Sequence, residues 1–565
     1  MLRTRRQFKF AALLLTVIIM TLSSFLLSFS AMAAVERSSD ISYDAGKAYY
    51  NSDYKYLNDE NSVFQSITWE EAVYLFQQEG NYLVLFGGSW CPNTTAVIDY
   101  INEAAKAAGV DTIYNLDFRL DGTNGDTHIR ETNGSAKIAV QYNYLYGELV
   151  TRYLTNLNDW VEYTADSASA LTYTNSEGVD VTVPKVQVPF LFLYNKDNMI
   201  NHAGDSEDSV KYPIVYGFEK MVYRDANGGK DVYTSSQTQD STTLVADYAE
   251  QLNGAIFDHL SADNITLSGF TDGDYIRLAY NEKSGKTLFD ANDRINIQTI
   301  TYKQLDWLLG QDGKYILLFG GSWCGNTQAV INIINDYAVE NNVTVYNFDT
   351  KLDSGYAKKY WGYSNEIHIR DNNNPLADLY VDLVNKYLDN IETEYTIESG
   401  NYIYYTNAET GAEVIANKLQ VPYLFAYNKD AVDDNGHDTP ILSYIEKMYV
   451  LDASSDAYIL SEANFVDYTT GITNVITAHN GNTGADAVIK DTVIDNDNET
   501  PLGAAVADTD KTALDNASAE NTAEENNNIA KIIVAVIAGV AVIGVVVFLA
   551  LKKGKTSGGS DGGCC

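Results

Sequence analysis

Cysteine and proline are scarce in this chain, with 4 and 8 copies among 565 residues, and basic residues are half as common as acidic ones. The shortage of proline beside 42 tyrosines argues against a mainly disordered chain, because disorder goes with few aromatics and much proline. The 38 Lys and Arg against 76 Asp and Glu leave a formal charge of -38, which repels phosphates and excludes nucleic acid as a partner. Zinc-type Cys/His spacing, a phosphate-binding glycine loop and a Ser/His/Asp arrangement are all missing, so nothing calls for a metal or a cofactor. What the chain does have is length enough for two or three domain cores, with 45% hydrophobic and 20% charged residues.

Both ends carry long apolar runs. Arg3, Arg5, Arg6 and Lys9 precede an apolar stretch from Phe10 to Leu27 and then Ala31-Met32-Ala33, the layout of a secretory signal peptide over 1–33. An uncleaved anchor is the alternative, and it leaves the large region on the same side. Ile532 to Leu551 is long and apolar enough for a transmembrane helix over 532–551. Lys552, Lys553 and Lys555 follow it, so the tail over 552–565 is expected in the cytoplasm and everything from Ala34 to Ala530 outside. Cys564 and Cys565 close that tail as ordinary thiols, with acylation left open.

Between those ends the sequence repeats itself. Phe86-Gly-Gly-Ser-Trp-Cys91 recurs as Phe319-Gly-Gly-Ser-Trp-Cys324, and Gln187-Val188-Pro189 recurs at the same offset as Gln420-Val421-Pro422. Tyr114-Asn115 matches Tyr346-Asn347, His128-Ile129-Arg130 matches His368-Ile369-Arg370, and Glu219-Lys220-Met221 matches Glu446-Lys447-Met448. The expected layout is a lead-in over 34–61, a first domain over 62–255, an interdomain segment over 256–294, a second domain over 295–475 and a flexible stalk over 476–530.

Local patterns place the elements. Thr68 with Glu71 and Thr301 with Gln304 have capping-box spacing and open helices near 69–78 and 302–310. Apolar runs at 82–86 and 315–319 read as buried strands. Helical spacing follows each cysteine over 96–108 and 329–340, then strands at 112–118 and 343–348, helices near 136–156 and 375–391, a Thr/Tyr-rich hairpin, and strands at 190–194 and 423–427. This βαβαβ order predicts an α/β fold with two tandem α/β sandwich domains.

A strand ending in Trp-Cys before a helix, with Val-Pro opening a later strand, resembles the thioredoxin superfamily, twice over. The resemblance implies thioredoxin-like domains in which Pro189 and Pro422 are cis and lie against Cys91 and Cys324. It implies that Val188-Pro189 and Val421-Pro422 dock an extended substrate and that Trp90 and Trp323 shield the site. Each cysteine is expected at a helix N-terminus, where unpaired N–H groups and the dipole favour a thiolate. The family's second cysteine is replaced by Thr94 and Thr327, so neither repeat can release a mixed disulfide internally. Leu85 and Leu318 stand where many members of the family carry a buried carboxylate.

Two functions follow from this reading. One is a monothiol thiol-disulfide oxidoreductase acting on protein or low-molecular-weight thiols, with Cys91 and Cys324 as nucleophiles and the Thr94 and Thr327 hydroxyls as donors to the sulfur. The other is a surface binding or adhesion protein that uses the fold without turnover. The low-cysteine, acidic, Tyr/Asn/Asp-rich composition fits the surface of a Gram-positive bacterium. His128 with Arg130 and His368 with Arg370 are expected near the cysteine end of the sheet, as a loop held by local hydrogen bonds.

Overall fold

The computed structural model describes residues 45–122, 127–130, 139–201, 209–224, 229–235, 242–353, 376–395, 400, 402–450 and 460–481. The expected signal peptide, the 532–551 helix, the tail with Cys564 and Cys565, and the His368-Arg370 loop lie outside these residues. No helix among the described residues is long and apolar enough to cross a membrane.

The architecture is mixed α/β and duplicated. The first repeat runs α1 (Ala45–Asp53), β1 (Phe64–Ser66), α2 (Trp69–Leu75), β2 (Tyr82–Phe86), α3 (Pro92–Ala107), β3 (Ile113–Leu116), α4 (Ala139–Tyr153), β4 (Leu171–Thr174), β5 (Asp180–Val183), β6 (Phe190–Tyr194) and β7 (Ile214–Glu219). A small three-stranded sheet follows, β8 (Tyr223–Arg224), β9 (Val232–Ser235) and β10 (Thr242–Leu244). The second repeat runs α5 (Asp272–Ser284), β11 (Ile297–Thr299), α6 (Tyr302–Leu309), β12 (Tyr315–Phe319), α7 (Gly325–Gln328), α8 (Ile331–Glu340), β13 (Val345–Phe348), α9 (Ala377–Tyr387), β14 (Tyr402–Thr406), β15 (Glu413–Asn417), β16 (Tyr423–Tyr427), β17 (Ile441–Glu446) and α10 (Glu462–Asn480).

The two main sheets share one strand order, β1-β3-β2-β6-β7 and β11-β13-β12-β16-β17. In each, the first three strands are parallel and the last two antiparallel. Both expected capping boxes form. Thr68 Oγ1 accepts from the Glu71 N–H at 3.2 Å while the Glu71 carboxylate accepts from the Thr68 N–H at 2.7 Å, and Thr301 with Gln304 repeats the exchange. Each box satisfies two amides that a helix start leaves free.

Side chains alternate across β2 as the period of a strand requires. Tyr82, Val84 and Phe86 join one core, and Leu83 and Leu85 join a second core that lies against α3. The first core is continuous through both repeats, from Ile67 to Ala478, and both repeats belong to one compact unit.

Two boundaries differ from the sequence reading. The segment 256–294 contains α5, which packs on β11 of its own repeat and on α2 of the other. Residues 45–53 of the expected lead-in form α1, which packs on β1 and on α6. The pairing of the repeats is therefore reciprocal. It is fastened by the ion pairs Asp53–Lys303, at 2.6 Å, and Glu70–Lys283, and by edge-on ring contacts of Tyr49 with Trp307 and Tyr74 with Tyr275. At the far end, α10 continues through the expected start of the stalk at 476 to Asn480, where Gly481 caps it at φ 80°.

Candidate functional site

The tight turn before each cysteine is built by its glycine pair. The Cys91 N–H donates to the Gly88 carbonyl at 3.0 Å, and Cys324 does the same to Gly321 at 3.0 Å. A Cβ on Gly87 would lie 2.8 Å from Thr94 Cγ2, and one on Gly88 would lie 2.3 Å from both Asp117 Oδ2 and Trp90 Nε1. Gly320 and Gly321 face Thr327, Trp323 and Asp349 in the same way. The first glycine thus makes room for the threonine of the next helix, and the second lets a tryptophan–aspartate hydrogen bond pass against the turn.

Cys91 is the N-cap of α3, with Pro92 at the first helical position, where its fixed φ suits a helix start. Cys324 is the N-cap of α7, a single turn that ends before Val330, after which α8 begins. Both Val188–Pro189 and Val421–Pro422 bonds are cis. The Cys91 thiol donates to the Val188 carbonyl at 3.3 Å, and the Cys324 thiol donates to the Val421 carbonyl at 3.4 Å. Each sulfur therefore lies at a helix start and against the cis-proline loop. Cys91 is only 5% exposed, whereas Cys324 is partly exposed, and both are free thiols.

The loops beside the sulfurs are held by residues whose roles the sequence did not reveal. Glu219 accepts from the Gln187 N–H at 2.6 Å and from the Glu162 N–H at 2.8 Å; Glu446 accepts from Gln420 and Glu394 at 3.0 and 2.7 Å. These carboxylates pin the residue just ahead of each Val-Pro. Burial raises the pKa of Glu219. Asn93 Nδ2 donates to the Val222 carbonyl at 2.8 Å, and Asn326 Nδ2 approaches Met448 Sδ at 3.1 Å, so each asparagine after the cysteine ties the helix start to the chain beyond the last strand.

Thr94 and Thr327 depart from expectation. Both are fully buried, but neither hydroxyl has a hydrogen-bond partner, so the expected bond from threonine to sulfur is not formed. The methyl and the hydroxyl of each threonine together lie opposite Gly87 and Gly320.

Trp90 and Trp323 each bond a carboxylate that lies away from Leu85 and Leu318, beyond the next strand of the sheet. Trp90 Nε1 donates to Asp117 at 2.6 Å, and Trp323 Nε1 donates to Asp349 at 2.8 Å. A cation covers each ring, Arg119 at 4.1 Å from the Trp90 centroid and Lys351 at 3.9 Å from that of Trp323. Burial pushes the carboxyl of Asp117 up to about 7 and that of Asp349 to about 7, with Lys303 opposing the rise at Asp117 and Glu70 adding to it at Asp349. Both aspartates open onto a cavity between the repeats that Arg119, Lys303, Lys351 and Thr299 also line. The matching Asp117 and Asp349 sit just past the repeated Tyr-Asn pairs, which was the signal available for finding them.

His128 packs edge-on to Trp90 at 5.0 Å and accepts from the Arg130 N–H at 3.3 Å. Burial, then Arg130, Arg119 and Lys185, hold its pKa down to about 2, so it is a neutral imidazole at physiological pH. Together, the site places a free thiol, a backbone carbonyl beside it, and a titratable carboxyl bonded to the neighbouring tryptophan.

No family model and no curated protein matches the chain. Among solved structures, the chain is similar to the crystal structure of ERdj5 form I at 9% identity and a TM-score of 0.15, covering 71% of this chain and 28% of that one. The crystal structure of ERdj5 form II matches at 8% identity and a TM-score of 0.15, over 75% and 29%. The chain thus spans less than a third of those structures' length, and likeness at this score decides neither fold nor function.

Proposed function

We propose that the chain is a membrane-anchored, extracytoplasmic thioredoxin-like protein that exchanges disulfides through one cysteine per repeat. The observation that carries the reading is the contact of each sulfur with the carbonyl before a cis proline, made in both repeats at 3.3 and 3.4 Å. In this reading Cys91 and Cys324 are the nucleophiles, and the backbone at Val188 and Val421 receives an extended substrate, as in the family the motif resembles. Thr94 and Thr327 occupy the place of a resolving thiol, so a mixed disulfide waits for a thiol from outside. Protein thiols and low-molecular-weight thiols are the partners. The 1–33 segment exports the chain and the 532–551 segment holds it in the membrane, a placement that protease shaving of intact cells tests.

The exchange itself is tested with the full-length protein, 2-hydroxyethyl disulfide and an external thiol in excess. In a full-length background with Cys564→Ser and Cys565→Ser, Cys91→Ser and Cys324→Ser should each remove part of the turnover and the two together all of it. A double variant as active as the parent sinks the reading. One observation favours the second function, a binding protein without turnover: Cys91 is 5% exposed.

A further inference from the structure

In a chain with two acidic residues for every basic one, cations gather around Cys91. Arg119 lies 4.1 Å from the centre of the Trp90 ring, next to the cysteine. Arg130 Nη1 donates to the Val186 carbonyl at 2.6 Å, two residues before Val188, and Lys185 adjoins Val186 on the same loop. The fourth cation comes from the other repeat. Lys303 of α6 hydrogen-bonds Ser89, in the turn before Cys91, and pairs with Asp53 at 2.6 Å. Its stem passes Gly122, which has φ +77°; a Cβ there would lie 2.2 Å from Lys303 Cδ. Among the acids on this side, Asp117 bonds Trp90, Asp121 bonds Thr127, Asp53 pairs with Lys303, and Glu219 and Glu162 both accept from Gln187 beside Val188.

The second repeat inverts the sign of that fourth group. The position of Lys303 in α6 is taken in α2 by Glu70, which is 5% exposed. Glu70 accepts from Ser322, in the turn before Cys324, at 3.3 Å, and from the Tyr275 hydroxyl at 2.5 Å, and it pairs with Lys283. The turn before Cys91 thus bonds the cationic half of the Lys303–Asp53 pair, whose lysine comes from repeat 2, and the turn before Cys324 bonds the anionic half of the Glu70–Lys283 pair, whose carboxylate comes from repeat 1. Lys303 opposes the rise at Asp117, whereas at Asp349 Glu70 adds to it and its partner Lys283 opposes it.

We propose that the Cys91 site selects anionic thiols and disulfides, those with a carboxylate or sulfonate near the sulfur, and that the Cys324 site lacks this preference. The proposal rests on the exchange reading above. Fixed cations at the mouth of a low-dielectric site raise the local concentration of an anion and speed its encounter. The Cys91 thiolate attacks one sulfur of the disulfide, the new S–S bond forms, and the old one breaks. Its electron pair leaves on the departing thiolate, which takes up the proton that Cys91 released. The thiolate of a second molecule of the same thiol class then attacks the substrate-derived sulfur of the mixed disulfide, the bond to Cys91 breaks, the two substrate sulfurs leave joined as a disulfide, and Cys91 takes up the proton that the second thiol released. Atoms and electrons balance with no other reactant.

The test uses the full-length protein and three methanethiosulfonate probes of similar size, bearing a sulfonate, a trimethylammonium or no charge, with rates read at each cysteine by mass spectrometry. The anionic-to-cationic rate ratio should be about tenfold higher at Cys91 than at Cys324. Lys303→Glu should lower the Cys91 ratio about fivefold or more and leave Cys324 within about twofold, and Glu70→Lys should do the converse. About 0.5 M salt should erase most of the difference in the unmodified protein, which decides the matter if a variant does not fold. Equal ratios at the two cysteines, or a Cys91 ratio indifferent to salt, overturn the selectivity and leave exchange standing. Failure of both cysteines to react with the uncharged probe overturns the exchange reading and the selectivity with it.

Discussion

The two repeats carry the same motif in different surroundings, and a buried triad of polar side chains shows the difference most clearly. In repeat 1 the Tyr50 hydroxyl donates to Asn115 Oδ1 at 2.8 Å and accepts from Ser66 Oγ at 3.0 Å, while Asn115 Nδ2 donates to the Leu85 and Gly87 carbonyls at 3.0 and 2.9 Å. That network ties α1 and β1 to the end of the strand that leads to Cys91. In repeat 2 the counterparts are Tyr280, Asn347 and Thr299. The Tyr280 hydroxyl, Asn347 Oδ1 and Thr299 Oγ1 are all buried without a hydrogen-bond partner. The same division appears at the sulfur, where Cys91 is buried at the head of the 16-residue α3 and Cys324 is partly exposed at the head of the 4-residue α7. A duplicated motif keeps its covalent chemistry while the neighbours set how firmly it is held and what can reach it.

The largest effect should come where the repeats agree. Gly88→Ala places a methyl 2.3 Å from both Asp117 and Trp90 and should cost about 2–4 kcal/mol, with Gly321→Ala close behind, as urea unfolding would show. Tolerance of alanine at either position would mean that the turn is not held as described.

A pH effect comes next. Asp117 and Asp349 ionise near 7 in the folded chain against 3.8 for an ordinary aspartate, so the folded state binds more protons between those values. Stability from these groups is therefore present below about pH 4 and falls as pH rises through about 7. Asp117→Asn should look better relative to its parent at pH 8 than at pH 5, by about 1–2 kcal/mol, and Asp349→Asn should follow the same sign. His128 works in the other direction, since its pKa falls from 6.5 to about 2 on folding and its contribution is lost as pH drops below about 6.5. A difference between parent and Asp117→Asn that stays flat from pH 5 to pH 8 contradicts this assignment.

Tyrosine deletion should separate the repeats outright. Tyr50→Phe breaks two hydrogen bonds and should cost about 1–2 kcal/mol, whereas Tyr280→Phe removes a buried hydroxyl that bonds nothing and should be neutral or stabilising. Equal losses in thermal or urea unfolding would erase the contrast. The smallest expected effect is kinetic: iodoacetamide should alkylate Cys324 about fivefold faster than Cys91, equivalent to about 1 kcal/mol, because of its greater exposure.

Much of the framework was legible because it depends on neighbours in sequence. The capping boxes at Thr68 and Thr301 formed as their spacing required, and the strands at 190–194 and 423–427 have the expected bounds. Helix α3 starts four residues earlier than the apolar spacing suggested, since Pro92 opens a helix without adding to its apolar face. The site was harder to read where partners are distant. Asp117 and Asp349 are not legible from the cysteine strand, because the fold supplies each carboxylate from just past the end of β3 or β13, through the tryptophan. The expected bond from Thr94 and Thr327 to sulfur is absent because methyl and hydroxyl alike pack against Gly87 and Gly320, where the hydroxyl meets no donor or acceptor. Lys303 and Glu70 escaped because each acts on the other repeat, at a position where the two copies differ in charge.

The most direct test of the whole account is whether each lone sulfur forms and releases a mixed disulfide in the native, full-length protein. Peptide-level mass spectrometry after 2-hydroxyethyl disulfide treatment should show adducts on Cys91 and Cys324, both removed by excess 2-mercaptoethanol. Cysteines that stay unmodified in the native protein yet label after denaturation would contradict it.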